Sequence, residues 1–123
     1  MVRGIGFVRA LLGLLAGPSI WAGHFGLVYG GHAALCGAGD RLPLVARADL
    51  PWLLLVATGS AVIALLALAV SGRLTGWLIG TSDLPDEADF LVRVARLLSA
   101  LSLFGVLASG AGMIVLPGCQ LLR

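Results

Sequence analysis

The side chains of this chain that can do chemistry are gathered in one place. Both histidines, the single tyrosine and one of the two cysteines lie between Gly17 and Cys36, in a stretch with no charged residue. Imidazole can ligate a metal or relay a proton, and a thiol can pair with another thiol or bind a soft metal ion. On a helix, Trp21, Phe25, Val28, Tyr29, His32 and Cys36 share about a third of the circumference, with His24 at the edge of that arc. His24 and His32 stand about 12 Å apart along the axis. They cannot hold one metal ion or one haem between them, and the chain has no other histidine. A bis-histidine haem site within one chain is excluded. No catalytic residue and no metal set is expected, and no cofactor. The ordinary expectation for His24 is a hydrogen bond to the backbone or a hydroxyl of a neighbouring helix. Trp21, His24, Phe25, Tyr29 and His32 together read as a helix face that docks on a partner.

The elements that carry these residues follow from composition. Of 123 residues, 59% are hydrophobic and 11% charged, with mean hydropathy +1.06. A soluble domain of this size has about a quarter of its residues charged, so this surface is expected to face lipid or apolar protein. The net charge of +2, carried by scattered arginines, excludes a nucleic-acid partner. The expected architecture is all-α and integral to a membrane. It comprises a single domain over residues 1–123 with three transmembrane helices at about 10–36, 50–72 and 94–116.

Pro18 removes a backbone donor inside the first helix and is expected to kink it, freeing the carbonyl of Leu14. Arg3 and Arg9 precede this apolar stretch as a signal peptide's would, but no clean cleavage site follows and the stretch runs on, which predicts an uncleaved helix. Residues 37–51 read as a polar loop, with Asp49 capping the second helix and Pro51 in its first turn. Trp52 and Trp77 suit interfacial positions. Arg73 is expected to snorkel while the second helix continues a short way past it. The acids between Thr81 and Asp89 suit a helix N-terminus, and Asp89 is spaced to pair with Arg93. Five arginines flank one side of this topology (Arg3, Arg9, Arg73, Arg93, Arg96) and three the other, which places the N-terminus in the cytoplasm.

Small residues recur at helical spacing. Gly13 with Gly17 and Gly26 with Gly30 form two small-residue pairs on different faces of the first helix. Ala57, Ser60, Ala64, Ala67 and Ser71 line one side of the second. Gly105, Ala108, Ser109 and Gly112 line one side of the third. In lipid, helices associate by close packing, so such stripes mark contact faces. Two faces on the first helix point to a partner outside the chain.

Three spans put the ends of the first and third helices on one side of the membrane. Cys36 and Cys119 occupy those ends, on the outer, oxidising side, where a disulfide persists. The alternative is two buried thiols that pack as small apolar groups. A copper(I) variant uses His32 and Cys36, one turn apart, with Met113 and Cys119 approaching from the third helix.

The run Leu15–Cys36, L-A-G-P-S-I-W-A-G-H-F-G-L-V-Y-G-G-H-A-A-L-C, resembles a family of small bacterial membrane proteins encoded beside the subunits of haem–copper cytochrome c oxidases. The family's Pro, Trp, His, Tyr and terminal Cys fall on Pro18, Trp21, His24, Tyr29 and Cys36. The resemblance covers this helix and implies a respiratory context in the bacterial inner membrane, with an accessory or assembly role.

Two functions from different classes are expected on these grounds. The first is a non-catalytic accessory or assembly subunit of a membrane respiratory complex, whose partners are the lipid bilayer and a larger complex or further copies of itself. The alternative is a membrane metal-handling or thiol-redox protein using Cys36, Cys119 and His32. Ion-coupled transport ranks below both, because every Asp and Glu lies in a loop or at a helix start.

Overall fold

The computed structural model describes residues 2–38, 44–83 and 85–115. Four helices follow one another: α1 (Val2–Ala38), α2 (Leu44–Val70), α3 (Gly72–Ile79) and α4 (Ala88–Val115), with a 3-10 turn at Thr81–Asp83 before α4. No strand occurs among the described residues. Helices α1, α2 and α4 are long and apolar enough to cross a membrane. The all-helical class stands, with one helix more than the hydropathy pattern predicts.

The extra helix arises at Ser71. Helix α2 ends at Val70, and Ser71 adopts an extended conformation (φ −87°, ψ 97°) as N-cap of α3, its side chain accepting from the Leu74 N–H at 3.2 Å. A serine hydroxyl offers the backbone this alternative to the helical bond, and Gly72 follows it. The chain therefore does not run straight past Arg73 but breaks and restarts. Thr75 spans the break, its hydroxyl donating to the carbonyl of Leu68 at 2.7 Å. Helix α3 stops at Gly80, whose left-handed conformation (φ 75°) lets its N–H reach the Gly76 carbonyl at 3.0 Å.

The other boundaries also differ from those expected. Helix α1 begins at Val2 and runs through Pro18 as one assigned helix. Helix α2 begins at Leu44, so Asp49 and Pro51 lie inside it rather than at its start. Helix α4 begins at Ala88, well before residue 94. The Leu91 N–H bonds to the Glu87 carbonyl at 3.0 Å, and Asp89 sits in the first turn against the positive helix end.

Helices α1 and α4 run parallel, with α2 antiparallel between their ends, and α4 packs along both of the others. Two small apolar clusters hold them. Ala10, Ile79 and Ala95 join α1, α3 and α4, with Leu14, Leu91 and Val92 against them. Further along, Ala61, Leu65 and Val106 join α2 and α4, with Ile20, Val62 and Leu103 against them. The small-residue stripes of α2 and α4 are contact lines only in part, with Gly105 against Trp21 of α1. Ser60 and Ala108 are exposed, while Leu65 and Val106 are fully buried. On α1, Gly13 and Gly17 let neighbouring backbone approach closely.

Two arginines complete the inner end, meaning the end that holds α3. Arg96 of α4 donates its Nε–H to the Ala69 carbonyl at 2.6 Å, and Arg9 of α1 donates from Nη2 to the Trp77 carbonyl at 2.7 Å. These are carbonyls in the last turns of α2 and α3, where the helix dipole is negative and carbonyls lack partners within the helix. Arg96 thus caps the end of α2 at the break, and Arg9 caps the far end of α3.

Candidate functional site

Helix α1 carries every chemically active residue of the first stretch, and the fold divides its surface into three strips. The inner strip faces α2, α3 and α4: Ala10, Gly17, His24 and Val28 are buried along it. A Cβ on Gly13 would come within 2.9 Å of the Ile79 side chain and 3.0 Å of its backbone, and one on Gly17 within 3.0 Å of Ser99. At these positions only glycine fits without displacement of the neighbouring helix.

The opposite strip is open. Gly23, Gly26, Gly30 and Gly37 have nothing within 4 Å of where a Cβ would stand. Of the two small-residue pairs in the sequence, Gly13 and Gly17 serve the chain's own bundle, and Gly26 and Gly30 face away from it.

Between these strips lies an aromatic ladder. Trp21 and Phe25 have ring centroids 5.8 Å apart, and Phe25 and Tyr29 4.2 Å apart. Their exposures are 38%, 40% and 55%. Trp21 leans on α4 at Gly105, where a Cβ would stand 2.5 Å from the indole nitrogen. The small residue at 105 thus seats the first rung of the ladder.

His24 is separated from that ladder: it is 3% exposed and points into the bundle. Its Nε2 lies 2.8 Å from the Thr58 hydroxyl of α2. Thr58 already donates its proton to the Leu54 carbonyl at 2.8 Å. The Thr58 oxygen is therefore the acceptor, which assigns His24 as the Nε2–H tautomer. Its Nδ1 is buried with no hydrogen-bond partner among the described residues. Sequence alone predicts a backbone or hydroxyl partner for this histidine but not which one, because Thr58 differs from the other α2 hydroxyls only through the helix register.

Ser99 and Ser109 do not extend this bond into a relay. Ser99 donates to the Ala95 carbonyl at 2.9 Å, and Ser109 to the Gly105 carbonyl at 2.8 Å, each within its own helix. A proton spent on a carbonyl one turn back is not passed along the bundle.

His32 is partly buried near the far end of α1, with Nε2 3.7 Å from the Cys36 sulfur. It also lines a pocket of about 110 Å³ between α1 and α4, together with Tyr29, Ser109 and Met113. The structure thus brings His32 near Cys36 and Met113, and keeps it apart from His24. Cys119, expected to pair with Cys36, lies outside the described residues. No group of three or more His, Cys, Asp or Glu residues suited to a metal ion occurs among the described residues. Two functional arginines, Arg9 and Arg96, are topology signals in the sequence, and nothing there marks them as helix caps.

No protein-family model, curated protein or solved structure matches the chain.

Proposed function

We propose that this chain is an integral protein of the bacterial inner membrane, N-terminus in the cytoplasm, and acts as a non-catalytic accessory or assembly subunit. Its partner is a larger respiratory complex, by the resemblance over α1 a haem–copper cytochrome c oxidase. The observation that carries the docking role is the open strip Gly23, Gly26, Gly30 and Gly37 beside the Trp21–Phe25–Tyr29 ladder. In lipid there is no hydrophobic drive between helices, so close backbone approach is what makes a helix pair, and glycine permits it. The bundle uses such contact at Gly13 and Gly17 and leaves the second set for a partner. In this reading α1 bends at Pro18. Cys36 pairs with Cys119 across the outer end; no free cysteine occurs among the described residues.

The test is co-migration. Solubilised protein should run with a respiratory oxidase on a native gel, and a Gly26→Leu, Gly30→Leu double variant should run alone. If the unmodified protein never migrates with an oxidase, the reading is wrong.

A second reading, metal handling at the outer end, draws on the approach of His32 to Cys36 and of Met113 to the same pocket. Imidazole with sulfur suits copper(I). Stoichiometric copper in purified protein, lost in Cys36→Ser, would favour this reading over docking.

A further inference from the structure

Two cavities adjoin at the outer end of the bundle. The smaller, of about 110 Å³, lies between α1 and α4 and is walled by Tyr29, His32, Ser109 and Met113. The larger, of about 640 Å³, lies where α1, α2 and α4 meet, against Leu54, Leu55, Leu107 and Ile114. Val28 and Met113 line both, so the two are neighbours across one valine and one flexible thioether. Leu55, Leu107 and Ile114 are exposed, which opens the larger cavity to the surrounding hydrocarbon.

The chemistry of the walls selects what they hold. No charged residue occurs in 17–36, 50–72 or 97–116, so an ionised head would lie here without a counter-charge. Ser109 has one proton and gives it to the Gly105 carbonyl at 2.8 Å, shared with that of Val106 at 3.1 Å, which leaves its oxygen lone pairs. Cys36 is not a free thiol, so its sulfur has no proton to give, and His32 Nε2, 3.7 Å away, is the donor. His32 Nδ1 is then an acceptor. The Tyr29 hydroxyl serves either way. In the larger cavity the Thr58 hydroxyl already accepts from His24 and donates to the Leu54 carbonyl, so that space offers a guest apolar contact.

We propose that the paired cavities bind a neutral, single-chain lipid whose head donates a hydrogen bond, a long-chain alcohol in its simplest form. Its hydroxyl donates to Ser109 Oγ or His32 Nδ1 in the smaller cavity, and its chain passes Val28 and Met113 into the larger. An ether of the same length brings a further acceptor instead, which only Tyr29 can meet. The inference rests on the chain spanning a membrane and needs no partner protein.

Photolabelling of the full chain in bicelles tests this, with a long-chain alcohol carrying a diazirine near its hydroxyl as the probe. The label is expected on residues of the two cavities. Dodecanol should suppress it about tenfold more effectively than dodecyl methyl ether, the factor that one neutral hydrogen bond implies. A Ser109→Ala, His32→Leu double variant should keep the label but lose that preference. Met113→Trp, which fills the space shared by both cavities, should lose the label. Equal suppression by the two competitors, or label spread along the lipid-facing sides of all three long helices, would overturn the proposal. So would a preference for dodecanol that survives in the double variant.

Discussion

His24 of α1 and Thr58 of α2 are joined by a side-chain hydrogen bond of 2.8 Å in the interior of the bundle. Since Thr58 donates to Leu54, replacement of Thr58 by valine keeps the shape, leaves the carbonyl to its own helix and strips His24 of its acceptor. An interhelical bond in a membrane bundle contributes about 0.6 kcal/mol on average, but a buried donor left unmade costs about 1–3 kcal/mol. Thr58→Val should therefore destabilise by about 1–2 kcal/mol, and adding His24→Leu should recover part of that loss. A double-mutant cycle in bicelles checks it. Additive losses would mean that the two residues are not coupled.

The two glycine pairs of α1 predict opposite outcomes for one kind of substitution. Gly17→Leu must push α4 away at Ser99 and should cost about 1–3 kcal/mol or more as overpacking. Gly26→Ala meets no atom within 4 Å and should stabilise the isolated chain by up to about 1 kcal/mol through helix propensity. Unfolding of the purified chain measures both. Equal losses at 17 and 26 would contradict the division of α1 into an inner and an open strip.

This division marks where sequence reading stops. Three long apolar stretches are legible from hydropathy alone, because twenty uncharged residues have few other fates. Which glycine pair turns inward is not legible, since both have the same spacing and differ only in what stands opposite. The break at Ser71 is hidden for a different reason. Serine is tolerated in helices, and its cap role goes with Thr75 reaching Leu68 and Arg96 reaching the Ala69 carbonyl, while Arg9 closes the far end of α3. Those are contacts over sequence distances of 27 and 68 for the arginines, and no local window contains them. His24 is legible in kind, as a residue needing a hydrogen-bond partner on a neighbouring helix, while its separation from Trp21, Phe25 and Tyr29 requires the packed bundle.

Oxidation state at the outer end gives a third prediction. If Cys36 and Cys119 are paired, unreduced protein treated with an alkylating reagent gains no mass, and reduction first adds two labels. The link closes a loop of more than eighty residues, for which chain entropy implies about 4 kcal/mol of stabilisation. Cys36→Ser should therefore lower the unfolding midpoint markedly, and an excess of reductant should do the same to the unmodified chain. Two labels on the unreduced protein would remove the disulfide.

The cap on α3 supplies the last prediction. Gly80 has φ 75°, and a Cβ there would stand 2.9 Å from Cδ of Arg9, the residue whose Nη2 bonds to the Trp77 carbonyl. Gly80→Ala thus places strain in the left-handed turn and displaces Arg9 from the helix end at once. About 1 kcal/mol is expected for the backbone alone, and about 0.3–1 kcal/mol for the loss of a cation at a helix C-terminus. The effect should be local. Helix α3 is short and held by Gly13 against Ile79, by Thr75 and by Arg9, whereas α1, α2 and α4 also pack on one another. Hydrogen exchange should quicken at the amides of Ile79 and Gly80 in both Gly80→Ala and Arg9→Gln, with the middle of α2 unchanged. Uniform quickening across all helices would mean that α3 unfolds only with the whole bundle.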